Sequence, residues 1–593
     1  MKTLRTIIIG LALLGQWPAA RAVNLEITFA PRFKGAPLLF DSLVNQTAAG
    51  QTISVTRLDF LISDVALHRA NGQWLAPSNQ FGFISAREGR TNFTLANVPA
   101  GDFDRLRFQI GVPPIINHGD SAQWPGGHPL NSAVNHLYWS WSREYVFLAF
   151  EGAWQNGTKQ SGFSYHLATD RQLMTVELPI ALNTSTDQEL QVAFDVDKIL
   201  FGAKPIHLTN ANDTTHSRAT DALATILHTN VQHAFSLVGQ ASRLSSTSLK
   251  SGTGETPFLR LIAPNATPYR LTISKYFPRP ELPKDNPLTV EGVALGSRLF
   301  FDRRLSADNS ESCATCHRPR IGFTEHQRFS AGIDGAIGIR HSMPLENLAW
   351  KQAFFWDGRA ASLREQVLQP IQNPIEMHQS LDVLMRKLSA DANYHQLFTS
   401  AFGSPSITSD RLARALEQFL LVQVSFDSKF DRVAAGKATF TAEEQRGFQL
   451  FHTEYDPYHG QYGADCFHCH GGALFQSQSF ANNGLDSAFK DEGRFVVTKR
   501  EGDRGKFAVP SLRNVAVNWP YMHDGRFRTL EEAVEHYCTG MKRSATLDPN
   551  LAKHPDGGIP LSATDKRALV AFLRTLTDDR FLPPQTVATA STR

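Results

Sequence analysis

Two five-residue stretches constrain this chain more than anything else in it: Cys313-Ala314-Thr315-Cys316-His317 and Cys466-Phe467-His468-Cys469-His470, both of the form C-x-x-C-H. The spacing lets two thiols add across the two vinyl groups of a haem while the imidazole of the next residue reaches the iron. Together the motifs take four of the five cysteines. A split four-cysteine zinc site or two redox disulfides could use the same thiols, but neither requires a histidine directly after each pair. The spacing therefore predicts two covalently attached haem c groups, with His317 and His470 as proximal ligands. Such a pair can carry electrons, run peroxidase chemistry, or do both. The sixth ligands decide, because a carrier closes both irons with strong ligands whereas a peroxidase leaves one open beside an acid–base residue.

The N-terminus reads as a secretory leader over residues 1–22: Lys2 and Arg5, an apolar run at 6–14, then Ala20-Arg21-Ala22 ahead of Val23. The run is well short of the ~20 residues a membrane span needs. The expectation is an exported protein, periplasmic or surface-associated. At 593 residues, with 42% hydrophobic and 19% charged, the chain is long enough for two or three domains with real cores. A net charge of +3 gives no reason to propose nucleic acid as a partner.

The chain has two textures. From about 23 to 200, short alternating runs are broken by Gly, Pro and Asn. Leu106, Phe108 and Ile110 alternate, as do Leu190, Val192, Phe194 and Val196, which predicts half-buried antiparallel strands in a β-sandwich. A helix is expected over 219–235. Residues 241–256, rich in Ser, Thr and Gly, read as a linker. Beyond about 280 the pattern turns helical, with helices expected at 412–426, 441–451, 529–537 and 563–576. Thr441 and Glu444 are placed to form a capping box.

Ordered matches run through this second part: Asn286-Pro287-Leu288-Thr289, the segment 295–302, Phe355-Trp356-Asp357-Gly358-Arg359-Ala360, Gln372-Asn373-Pro374-Ile375-Glu376-Met377, and the segment 520–527. On these residues, from about 281 to 576, the chain resembles the bacterial di-haem cytochrome c peroxidase superfamily, including its MauG-type enzymes. The resemblance implies that the haem on His317 binds peroxide and that Glu376 is the distal carboxylate moving a proton between the peroxide oxygens. Bond heterolysis needs such a group, because the departing hydroxide must be protonated. Pro370 matches the proline beside it, and Trp356 the tryptophan between the two haems. His523 and Arg526 would help hold the second pocket. The family also keeps a calcium ion between the haems. The matching positions lie around Asn518 and Pro520, with Asn518 standing where Thr is more usual.

One position sorts the family. Counting three residues beyond Leu530-Glu531-Glu532-Ala533-Val534 reaches Tyr537, where the electron-accepting peroxidases place a methionine ligand to the second haem and the MauG-type branch a tyrosine. A thioether favours ferrous iron, whereas a phenolate favours higher oxidation states. Met541 and His536 are rival ligands close by. The leftover thiol, Cys538, reads as a packed small residue.

Residues from about 23 to 239 carry further matches at 56–67, 136–141, 147–152 and 162–167. On these the N-terminal part resembles the periplasmic copper-binding proteins associated with methanobactin operons (MbnP-like). In that family a partner di-haem enzyme (MbnH-like) oxidises a tryptophan to kynurenine, which helps histidines hold copper. Two family positions depart here: His136-Leu137 replaces the usual methionine before the aromatic–Trp pair, and a cysteine is absent. Trp139 and Trp141, at i and i+2, would share one face of a strand, and either could be modified, with Trp139 preferred. The expected copper imidazoles are His136 and His166, with His118 and His128 behind them.

The implied architecture is multidomain: an N-terminal all-β sandwich, then a mainly α, di-haem cytochrome c peroxidase-like fold of two cytochrome c-like lobes. The implied boundaries are a leader at 1–22, a copper-binding β domain at 23–240, a linker at 241–280, a peroxidatic lobe at 281–455 and a second lobe at 456–593. The leading expectation is a peroxide-using oxidase acting on its own N-terminal domain, its cofactors two haems, copper and calcium. Two others stand beside it: a hydrogen peroxide detoxifier fed by a small cytochrome or copper protein, and a copper-capture protein whose haem half only carries electrons.

Overall fold

The computed structural model describes residues 22–238 and 262–582, apart from 187 and 219, together with the backbone of a short strand at Ser242–Arg243. The expected leader, apart from Ala22, and residues 241 and 244–261 of the expected linker lie outside the described residues. No helix among the described residues is long and apolar enough to cross a membrane.

The main strands of the N-terminal part are β1 (Val23–Phe33), β2 (Thr52–Arg69), β3 (Asn92–Val98), β4 (Asp102–Ile110), β5 (Tyr138–Trp139), β6 (Glu144–Asn156), β7 (Lys159–Ala168), β8 (Met174–Asn183), β9 (Gln188–Asp195), β10 (Thr214–Thr215) and β11 (Phe235–Leu237). In one sheet β1 lies between β3, antiparallel, and β9, parallel, with Leu25 opposite Gln188. The other runs β8-β4-β2-β6-β7-β10, antiparallel except at its last pair. Side chains alternate across a strand, and β8 does so strictly: Met174, Val176, Leu178, Ile180 and Leu182 point inward. Leu106, Phe108 and Ile110 do the same on β4.

Between the sheets sits an aromatic cluster. Phe29 of β1 meets Phe60 of β2 at 5.6 Å and Phe108 of β4 at 5.5 Å, both edge-to-face, and Phe194 stacks on Phe235 at 4.2 Å. Such pairs add about 0.5–1.5 kcal/mol each beyond their area burial, so they fix how the sheets face one another. The helix expected at 219–235 is shorter, α1 (Ala222–Gln232), because Asp221 caps it at Ala224 N–H and Phe235 enters β11.

The second part is helical: α2 (Val290–Phe300), α3 (Cys313–Cys316), α4 (Ser409–Leu421), α5 (Ala442–Phe451), α6 (Leu530–Glu535), α7 (Pro549–Ala552) and α8 (Ala563–Arg574) are the elements that build the pockets. Each lobe is pinned by one close helix crossing. A β-carbon on Gly296 of α2 would lie 1.9 Å from the Ala415 carbonyl oxygen of α4, and one on Gly447 of α5 would lie 1.9 Å from that of Ala568 in α8. Only glycine lets these backbones approach so closely. A C-x-x-C-H stretch lies between the two helices of each crossing. The capping box at Thr441 and Glu444 forms at the start of α5. The helix expected at 412–426 starts earlier, behind the Thr408 cap, and ends at Leu421. The one expected at 529–537 is α6 followed by a π-turn over His536–Gly540, a local widening common at functional sites.

The two parts dock. Helix α7 lies on β6 and β7, and a β-carbon on Gly162 of β7 would fall 2.0 Å from the carbonyl oxygen of Pro549. Around it, Asn550 Nδ2 donates to Glu151 at 3.1 Å, and Arg87 bridges Asp41 at 2.8 Å and Asp503 at 2.5 Å. Backbone on backbone cannot give way cheaply, so Gly162→Val should lever the two parts apart and leave both cores intact. Small-angle scattering should then show a larger radius of gyration with unchanged haem absorption. An unchanged radius would mean the parts are held together elsewhere.

Candidate haem pockets and the seam between the domains

Cys313 and Cys316 open and close α3, whose start is tied by the Ser312 N–H to Thr315 Oγ1 at 3.1 Å. His317 follows, its Nδ1–H donating to the Phe323 carbonyl at 2.9 Å. That bond fixes the tautomer and leaves Nε2 as the free ligand atom, the usual way a metal-binding imidazole is oriented. Glu376 belongs to the same pocket, close enough for its charge to act on both thiols. Burial pushes its carboxyl above the ordinary value, against the Asn373 amide, which donates to Oε1 at 2.7 Å, and the charge of Arg359. A carboxyl of raised affinity for protons, held in one orientation, suits a proton carrier. Pro370 lies one turn earlier, in the short helix Leu368–Gln372.

The second motif lines a largely apolar cavity with Trp356, Val515, Leu512, Tyr521, Leu569 and Leu573. His470 Nδ1–H donates to the Pro510 carbonyl at 3.2 Å, again leaving Nε2 free. No disulfide joins any of the five cysteines. Two unbridged thiols, an oriented imidazole and an apolar pocket are what a covalent haem requires, so the donor sets fit. Tyr537 enters this cavity from the π-turn, its hydroxyl accepting from Asn483 Nδ2 at 3.2 Å; burial pushes its phenol up. The rivals Met541 and His536 do not line the cavity, and His536 Nε2 donates instead to the Asn483 carbonyl at 2.9 Å. Met522, which the sequence reading passed over, does line it, its sulfur accepting from Asn483 Nδ2 at 3.2 Å. Cys538 is buried at the cavity wall. His523 lines it stacked on Phe507 at 3.6 Å, while Arg526 pairs with Asp486 at 2.6 Å.

Trp356 is buried at the wall of this cavity, its indole N–H donating to the His341 carbonyl at 2.8 Å. Pro520 lines the second cavity. Asn518 Nδ2 and Asn514 Nδ2 each donate to Glu346 Oε1 at 3.1 Å, leaving Glu346 Oε2 and Asn518 Oδ1 buried with no hydrogen-bond partner among the described residues. A carboxylate and an amide oxygen together fit the oxygen donors calcium takes. Glu346 had no motif around it to single it out.

The remaining site residues meet where the two parts dock. Strand β5 ends at Trp139, paired to Glu144 of β6, and Trp141 lies in the following turn rather than on the expected strand face. The indoles stack all the same, at 5.5 Å and 28°. Trp141 packs edge-on against Phe467, the second residue of the C-x-x-C-H stretch, at 4.7 Å, and near His452 at 5.2 Å. Trp139 lies behind it, 5.5 Å from His216 and 6.2 Å from His166. His136 lines a cavity at the seam together with Trp139, Trp141, His166 and Phe467, its Nε2 buried and without a partner among the described residues. His118 is at the surface, paired with Asp170 at 2.9 Å, and His128 stacks on Trp124 at 4.4 Å; neither lines the cavity that holds His136.

Two histidines here were not anticipated. His216 follows β10 in a stretch with no motif, and His468 was read only as spacing inside the haem motif. Asp213, also on the seam, has a buried oxygen with no partner among the described residues. Burial, against the charge of Lys553 and with that of Glu454, pushes its carboxyl up to about 8. Between the ordinary value near 3.9 and about 8, the native state keeps a proton the unfolded chain has lost, so stability falls as pH rises through that window. Asp213→Asn should flatten that fall. Denaturant titrations from pH 5 to 8.5 should show the variant gaining stability relative to wild type as pH rises; a difference that stays constant with pH would exclude a buried, protonated Asp213.

Comparison with known proteins follows the same division. A family model described as di-haem cytochrome c peroxidase matches residues 290–439, and one described as MbnP matches 22–217. The methylamine utilization protein MauG of Methylorubrum extorquens is 39% identical over 306 residues, spanning 51% of this chain and 83% of that protein. Cytochrome c551 peroxidase of Nitrosomonas europaea is 33% identical over 309 residues, 50% of this chain and 85% of its own length. A crystal structure of a MauG-like protein associated with microbial copper homeostasis aligns with 53% of this chain and 98% of its own, at 34% identity and a TM-score of 0.49.

Proposed function

Because this chain belongs to the di-haem cytochrome c peroxidase family, with an MbnP domain ahead of the haem-binding part, we propose that it is an exported peroxide-using oxidase whose protein substrate is Trp139 of its own N-terminal domain, converted to kynurenine. The family uses hydrogen peroxide and an electron donor; in this reading the donor is the fused domain. The observation that carries the reading is the unbroken ring contact Phe467–Trp141–Trp139 leading from the second haem-binding loop into the β domain.

The two covalent haems, when bound, supply the site where peroxide is reduced and hold the oxidising equivalents that reduction yields. Glu376, oriented by Asn373, takes the proton from one peroxide oxygen and delivers it to the other. Trp356, at the wall of the second pocket, serves in this reading as an oxidisable ring that relays between the haems. Tyr537 presents a hard oxygen donor to the second. Trp141 relays, and Trp139 is consumed, because Trp139 is the indole beside the imidazoles. The balance closes with peroxide as sole oxidant: two peroxides deliver two oxygens to the indole and leave as two waters, and hydrolysis of the opened ring then releases formate. The resulting aryl amine and ketone would stand next to His216 and His166, giving copper a nitrogen ligand beside imidazoles. Fusion replaces a bimolecular encounter by an intramolecular one.

Peptide mass spectrometry before and after peroxide tests this. Trp139 should gain about 4 Da, since one carbon leaves and one oxygen enters. Glu376→Gln should abolish the change, and Trp141→Phe should slow it about tenfold or more with peroxide reduction intact. Modification of some other residue, or modification that survives Glu376→Gln, would overturn the scheme.

Met522, whose sulfur lies beside Tyr537 in the second pocket, favours a second reading. With a thioether on that iron, the protein would be a hydrogen peroxide detoxifier drawing electrons from a small cytochrome or copper protein. Steady peroxide turnover with such a donor and no change in protein mass would select it.

A further inference from the structure

We propose that His166 and His216 of the β domain, together with His468 of the second haem-binding loop, form one three-imidazole copper site that exists only when the two domains are docked. The inference rests on the copper reading of the N-terminal domain for the identity of the ion; the ligand set stands on geometry.

The three rings form a near-equilateral triangle. Their centroids lie 4.9 Å (His166–His216), 5.0 Å (His216–His468) and 5.4 Å (His166–His468) apart, and one ring nitrogen of each lies within 4.8 Å of the others'. His166 Nδ1 and His216 Nε2 face each other at 3.2 Å. Two ligands about 2.0 Å from a tetrahedral ion would be roughly 3.3 Å apart, so an ion fits between them with little movement.

Each of these two rings has its far nitrogen held by a buried carboxylate. His166 Nε2 sits 2.9 Å from Glu151 Oε1, and His216 Nδ1 contacts Glu454 Oε2. Carboxylates on the remote nitrogen are the outer shell that aims an imidazole at a metal. His468 is the third member. Its side chain is 2% exposed, and its Nε2 has no hydrogen-bond partner among the described residues.

A second donor set nearby, Glu454, Asp465 and His468, is a weaker candidate. The ammonium of Lys553 is bonded to Glu454 and lies 3.3 Å from Asp465, so those carboxylates already have their cation. Arg57 does the same for Glu151 at 2.8 Å. What remains for an incoming ion is nitrogen donors in a seam whose acids are neutralised, which disfavours calcium or magnesium and suits copper, the strongest binder of the first-row series at such ligands.

His468 lies between Cys466 and Cys469, so an ion held there is also fastened to the loop that carries a haem. Metal occupancy should therefore shift the absorption bands of the second haem.

The full chain with both haems, before any peroxide, should be titrated anaerobically with Cu(I) against a chromophoric chelator. One ion per chain is expected. His468→Ala, checked to retain both haems, should lower the affinity about tenfold or more, as should His166→Ala and His216→Ala, while His118→Ala should not. Gly162→Val, which opens the seam while keeping every ligand residue, should weaken binding in the same way. Cu(II) magnetic resonance should show three nitrogen couplings. Wild-type affinity in both His468→Ala and Gly162→Val, or two nitrogen couplings in the wild type, would place the ion in the β domain alone and overturn the shared site, leaving the copper reading intact. No uptake by the wild type would sink both. An unmodified Trp139 in a protein that takes one ion would sink only the proposed reaction.

Discussion

The seam closes over two buried carboxylates, and the rest of the arrangement depends on their being satisfied. Glu151 receives Arg57 at 2.8 Å, His166 at 2.9 Å and Asn550 at 3.1 Å. Glu454 receives Thr214 Oγ1 at 2.5 Å together with Lys553 and His216. Burial works against ionisation, yet these partners hold both carboxyls below their ordinary value. In each set at least one donor comes from the opposite domain. Removing one partner from a buried pair strands a charge, at a cost of about 3–5 kcal/mol. The apolar and backbone contacts of α7 against β6 and β7 supply surface; the carboxylates supply register, since only one docking pose pairs them all.

That register is what aligns the aromatic rings. Trp141 stands in a turn, stacked on Trp139 from its own domain, and it finds its partner across the seam in Phe467. Trp139 is held by strand pairing beside the imidazoles. A displacement of a few ångströms would separate Trp141 from Phe467 while leaving each domain folded. The fused architecture therefore does more than raise local concentration: it selects which indole touches the haem loop and which touches the histidines.

The haem-binding half was readable wherever chemistry demands residues close together in sequence. Two thiols and an imidazole must lie within five residues to hold one haem, and a helix cap must lie three residues from its partner, so both left signatures. The strands left theirs because burial alternates with period two. Trp139 and Trp141 were found by their motif, although the strand argument for their shared face failed: β5 stops at Trp139, and stacking across a turn replaced it. Glu346 left no trace, because a buried carboxylate facing Asn514 and Asn518 is separated from them by more than a hundred and fifty residues.

The amino-acid order by itself determined the two haem-attachment motifs, the class of each half and the pair Trp139 and Trp141, since each of these is a matter of local spacing. Only the tertiary structure decided that His216 and His468 converge on His166, and that Met522 shares a pocket with Tyr537. These residues come from distant segments brought together by the docking of a sheet against a helical lobe, and no periodicity in a chain encodes the meeting of surfaces that do not touch until both have folded.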